Sequence, residues 1–185
     1  AQLTMSALIL AFGLAQMFWG PVADRVGRRP VLLWGLLVYT AASIGGALAG
    51  SIESLVVWRV VQGAGMAAAV VCARAIVRDL YEPVEGAQVM ALALSGLGTI
   101  ALCGPLVGGT AALIFGWRGA LAVVAAMGAL TLAFVAWRLP ETLQHKNPQA
   151  TQFKPLFGAW WRIGQHPVFL AWALLVACTY GGLFT

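Results

Sequence analysis

Six apolar runs, at approximately 3–23, 31–50, 55–77, 88–115, 119–137 and 167–185, constrain this chain more than anything else in it. Each is long enough to cross a hydrocarbon layer about 30 Å thick if it rises about 1.5 Å per residue as a helix. Helix follows because backbone exposed to lipid must satisfy its own hydrogen bonds. A barrel strand would alternate polar and apolar positions over short segments, and stretches such as ALIL and VLLWGLLV do not alternate. Composition closes off the soluble alternative: charged residues make up 9% of the chain, against about 25% in soluble domains. The expected fold class is an all-α membrane protein with six transmembrane helices.

The junctions between runs carry the orientation. The first holds Arg25, Arg28 and Arg29, the third holds Arg78 just after Arg74, and the fifth holds Arg138, Lys146, Lys154 and Arg162. The second, GSIES, has only Glu53, and the fourth, FGWRG, only Arg118. Basic odd junctions and poor even ones are the positive-inside pattern, so the odd junctions are expected in the cytoplasm. The net charge of +5 therefore answers to membrane topology, and no nucleic-acid partner is expected. This orientation puts Ala1 on the outer face with no export signal before it, so a further helix is expected upstream.

The segment 139–166 is the one long polar stretch. Its first half, with Pro, Gln and Asn, reads as a linker between two bundles. Its second half sets Phe153, Leu156, Phe157, Trp160 and Trp161 at helical spacing beside Lys154 and Arg162. A short helix on the cytoplasmic membrane surface fits this pattern, and so does a plain loop with an aromatic belt. Cys72, Cys103 and Cys178 lie inside apolar runs without CxxC spacing and read as buried free thiols. His145 and His166 stand singly, so no metal site is expected. GLGTIA, residues 96–101, has the spacing of a dinucleotide-binding turn, but that turn must follow a strand; inside a long apolar run it is dismissed. No nucleophile-and-base constellation appears, so an enzyme is not expected.

Small residues are dense. Gly46 with Gly50, Gly104 with Gly108, and Gly63 with Ala67 have the spacing that lets membrane helices approach closely. Packing suffices for Gly46. In CGPLVGG, Pro105 also removes a helix hydrogen bond, so a kink flanked by Gly104, Gly108 and Gly109 is a place for a helix to bend. Arg59 stands about five residues inside the third run, where a charge is costly unless paired or solvated. It could snorkel to the outer interface, a depth of roughly 7 Å, or pair inward with Gln62 one turn away. No acid in the six runs is an obvious partner for it.

These residues carry a resemblance. GPVADRVGRRPVL resembles the signature G-x-L-a-D-r-x-G-r-k-x-x-l of the major facilitator superfamily, with Gly20, Asp24, Arg25, Gly27, Arg28 and Arg29 in place and Val22 for the usual leucine. VVWRVVQGAGMAAA is similar to the fourth-helix motif R-x-x-Q-G through Arg59, Gln62 and Gly63. GPLVGG resembles the fifth-helix antiporter motif g-x-x-x-G-P-x-x-G-G, with Ile100 where its first glycine is expected. LPETL, residues 139–143, is similar to the end of the sixth helix in drug:proton antiporters, most of all the bicyclomycin-resistance (Bcr/CflA) group.

The resemblance spans the whole chain and implies helices two to seven of a twelve-helix carrier. Residues 1–138 would be the N-terminal bundle, 139–166 the cytoplasmic linker and 167–185 the start of the second bundle. It implies a proton-driven exporter of small amphipathic compounds in a bacterial inner membrane, monomeric when intact, with no cofactor beyond the proton gradient. A proton-coupled importer or metabolite exporter of the same superfamily is the alternative, and a non-transporting assembly protein a remote third. Asp24, Arg28 and Asp79 would form a latch on the cytoplasmic side, with Asp24 facing the N-terminal end of a helix in the second bundle. Arg59 would sit near the proton-coupling acid of the family's first helix, the one expected upstream, and raise or lower its proton affinity. Gly104, Pro105, Gly108 and Gly109 would form the bend on which the bundles rock.

Overall fold

Every apolar run becomes a helix in the computed structural model, which describes residues 2–183. The order is α1 (Gln2–Val26), α2 (Arg28–Ala47), α3 (Ile52–Leu80), α4 (Pro83–Phe115), α5 (Trp117–Arg138), α6 (Phe153–Gly164) and α7 (Pro167–Leu183). Five of them, α1 to α5, are long and apolar enough to cross a membrane. The sixth run yields α7, at 17 residues short of the roughly 20 a span needs. Its last two positions, and Ala1, lie outside the described residues. For 153–162 the helix alternative is the one adopted, although the side chains of Phe153 and Lys154 are likewise outside the described ones.

The chain forms two compact units, Ala1–Lys146 and Asn147–Thr185. Within the first, α3 packs against both α1 and α2, α2 also packs against α5, and α4 lies on α5. Local chemistry sets the helix ends. Ser51 caps α3 by accepting from the Ser54 amide at 3.2 Å, with Glu53 in the first turn where the helix dipole favours an acid. Pro83 opens α4, a position that needs no amide donor. Gly27 (φ 124°) and Gly116 (φ 72°) make the sharp turns into α2 and α5, in the region where a side chain is strained.

The interior is small and partly polar, whereas the surface is large and apolar. Ala23, Ala67, Ala68, Cys72, Ser43 and Gln62 are buried, while Leu10, Trp34, Leu113 and Trp137 are exposed. A soluble monomer does not present such a surface. In lipid it is expected, because close packing of small residues rather than apolar burial joins the helices. The tight approach falls at Gly35 and Gly65: a Cβ at Gly65 would lie 2.7 Å from the Tyr39 nitrogen, and one at Gly35 would strike Ala68. Gly63 is closed in the same way by the Leu8 carbonyl of α1, and Gly128 of α5 by Thr40 at 2.7 Å.

The expected GxxxG pairs fare differently. Gly46 makes ordinary contacts with Leu55, Leu121 and Trp58, and Gly50 faces open space, as do Gly104, Gly108 and Gly109. Spacing gives the stripe but not the side of the helix that meets a neighbour. The cysteines need the same correction. All three are free and Cys72 is buried, but Cys103 and Cys178 are exposed, since a run that is apolar all round does not say which face turns inward. GLGTIA lies within α4, and no strand occurs among the described residues.

Candidate functional site

At the end of the first unit where α1 stops and α2 starts, the GPVADRVGRR stretch folds onto the far end of α3. Asp24 and Arg28 face each other across the Gly27 turn, with Nη1 of Arg28 2.6 Å from Oδ1 of Asp24. Nε of Arg28 donates to Oδ2 of Asp79 at 3.0 Å. The arginine side chain is 4% exposed, Asp79 18% and Asp24 45%. One guanidinium is thus held between two carboxylates that would otherwise repel each other. Gly20, Asp24 and Arg28 line a cavity of about 210 Å³ with Val71, Arg74, Ala75 and Arg78 of α3. Arg25 is exposed on the last turn of α1. Arg29 turns the other way and donates from Nη2 to the Ala136 carbonyl of α5 at 2.9 Å.

One member of this cluster lies in the LPETL stretch, whose resemblance assigned it no role. The Glu141 carboxylate accepts from the backbone amides of Arg28 at 2.9 Å and Arg29 at 3.3 Å, and from those of Thr142 and Leu143 at 3.0 Å each. Partial burial alone would raise its pKa, but the four amide donors outweigh this and hold it below the usual carboxylate range. The available signal was an acid directly after the Pro140 that follows α5; nothing local pointed to its partners.

Towards the opposite end of α3 stands a second polar group. Arg59 donates from Nη1 to Oε1 of Gln62 at 3.0 Å. Gln62, itself 3% exposed, donates from Nε2 to the Ser43 hydroxyl at 2.8 Å. Ser43 donates in turn to the Tyr39 carbonyl at 2.7 Å. Each group has one direction available, so the thread runs one way from the guanidinium to the α2 backbone. Arg59 therefore pairs inward with Gln62, yet its Nε is buried without an acceptor, and no carboxylate pairs with it among the described residues. Gly63 serves packing here, letting α1 close on α3 beside the thread. Ser43 and Tyr39 belong to no sequence motif noted above.

The four α4 residues join neither group. The helix continues through Pro105, and a Cβ at Gly104, Gly108 or Gly109 would meet nothing within 4 Å. On the side of the bundle away from Asp24, Arg118 donates to the carbonyls of Ala47 and Ala49 at 3.1 Å each and lies over the Trp117 ring. It ties the start of α5 to the end of α2, where a cation complements the helix dipole.

Residues 1–185 match the family profile described as Major Facilitator Superfamily. Among curated relatives, the chain is 34% identical over 161 residues to the multidrug resistance protein D of Escherichia coli, covering 85% of this chain and 41% of that protein. It is 39% identical to a chloramphenicol resistance protein of Pseudomonas aeruginosa over 76% of this chain and 34% of the relative. It is 29% identical to a bicyclomycin resistance protein homolog of Haemophilus influenzae over 98% of this chain and 45% of the relative. The chain thus spans less than half the length of these relatives. Among solved structures, the human organic anion transporter MFSD10 (TETRAN) superposes with a TM-score of 0.70 at 25% identity, over 83% of this chain and 35% of that one.

Proposed function

The chain belongs to the major facilitator superfamily, a family of transporters rather than enzymes, and from that premise we propose that the whole protein exports small amphipathic compounds in exchange for protons by alternating access. The resistance proteins among its relatives support export over uptake. The observation that carries the proton coupling is the Arg59 thread: a guanidinium inside a spanning helix, fixed on one side by Gln62 and Ser43, with an unmet buried donor on the other. Such a group lowers the proton affinity of a carboxyl that comes near it and gives way when that carboxyl is protonated.

In this reading the Asp24–Arg28–Asp79 cluster is a latch on the cytoplasmic side of a bacterial inner membrane. It holds that side closed while the carrier faces outward. The bend at Gly104, Pro105, Gly108 and Gly109 lets two bundles rock, and the open surface beside those glycines leaves room for it. Residues 139–166 link the bundles, and the carrier works as a monomer. Cells expressing the full-length gene are expected to accumulate less drug, and collapse of the proton gradient to abolish the difference. Unchanged proton-driven export by an Arg59→Ala carrier would falsify the coupling role.

A further inference from the structure

Helix α2 begins with a deficit. Its N-cap is Gly27, which has no side chain to accept the first amides, and every helix leaves such amides without internal partners. The acceptor comes from more than a hundred residues downstream: Glu141 takes the Arg28 and Arg29 amides. A side chain at Gly27 would collide with that carboxylate, so the turn closes on it only because the residue is glycine. The exchange is reciprocal, since Arg29 reaches back to the Ala136 carbonyl in the last turns of α5. The positive end of one helix receives an anion and the negative end of the other a cation. Arg28 is the shared member, its backbone held by Glu141 and its side chain by Asp24 and Asp79.

We infer that Glu141 is the positioning residue of the Arg28 latch: it fixes the first turn of α2 where the guanidinium falls between Asp24 and Asp79, and so ties the latch to the chain segment that leaves α5. This rests on reading the Asp24–Arg28–Asp79 cluster as a latch. Gln at this position keeps one acceptor oxygen but loses the charge and the second, and so cannot serve four amides at once.

The buried Cys72, packed with Ala23 and Leu32 in the core beside the cluster, provides a native reporter. In the full-length carrier with its other cysteines replaced, the rate of Cys72 alkylation by a membrane-permeant maleimide reports opening at this end. Glu141→Gln is expected to raise the rate about tenfold, on the scale of one charge-assisted hydrogen bond. Arg28→Ala, which removes the contacts to both Asp24 and Asp79, is expected to raise it about a hundredfold. The double variant is expected to match Arg28→Ala alone, because Glu141 acts through the placement of the Arg28 side chain. Glu141→Asp, which keeps the charge, is expected to restore part of the protection. Full additivity of the two substitutions, or no change with Glu141→Gln while Arg28→Ala opens the site, overturns the positioning role and leaves the latch standing. No change with Arg28→Ala overturns both.

Discussion

Arg28 and Arg59 are two arginines set near opposite ends of one bundle, and their surroundings differ in kind. Arg28 is nearly sealed and faces two carboxylates, so its charge is spent within the cluster. Arg59 has one amide oxygen and an unmet buried donor, so its charge remains open to whatever comes beside it. A paired charge fixes a structure, because separating it exposes both partners. An unpaired one fixes little but responds to the protonation of a neighbour. In the proposed reading, the same residue type holds at one end and senses at the other.

The sharpest way to break this contrast is Arg28→Ala, which strands the mostly buried Asp79 beside Asp24. Loss of a buried pair's partner costs about 3 kcal/mol or more, read as a lower thermal midpoint of the purified carrier. A drop no larger than about 1 kcal/mol, the scale of an exposed pair, would reduce the cluster to surface charge. Gln62→Leu should cost less, about 1–3 kcal/mol for the donors and acceptors left unmet, and should impair transport beyond its effect on stability. If transport falls only in step with folding, the thread is scaffold. Ser43→Ala removes one link and is expected to cost about 1 kcal/mol, with Arg59 still on Gln62. Substituting Gly108 by Ala should change stability by less than about 0.5 kcal/mol, because the new methyl meets open space. The same change at Gly63 forces α1 away from α3 and should be clearly worse.

Acid gives a finer comparison. Glu141 is held below its ordinary pKa, so its contribution is present above the unfolded value of about 4.3 and fades as the pH falls through the folded one. The stability gap between the native carrier and Glu141→Gln should stay level from pH 8 to about pH 5 and narrow only in stronger acid. A gap that closes between pH 6 and 7 would mean a near-neutral group, not this carboxylate, controls the contact.

The parts of this molecule legible in sequence are those whose partners are near in the chain or fixed by a period. Asp24 and Arg28 are four apart across a turn and Arg59 and Gln62 three apart on one helix face, and both pairs form, the second as spacing suggested and the first as the resemblance implied. Glu141 and Arg28 are 113 residues apart, and Gln62 and Ser43 are 19 apart on different helices; no local pattern encodes either. Helices were legible because lipid leaves the backbone no other choice. Their facing was not, because a run apolar on every side has no inward signature. That is why Cys103 is exposed and why Gly35 and Gly65, rather than Gly46 and Gly50, bring α2 and α3 together.

The first compact unit runs on to Lys146, eight residues past the end of α5 at Arg138, and this bears on how the gene can be divided. Two separately expressed polypeptides cut after Arg138 would leave the carboxylate that caps α2 on the other piece. A cut after Lys146 keeps it with the helix it serves. Co-expressed halves should therefore restore drug export with the later junction and fail with the earlier one, although both cuts fall between helices.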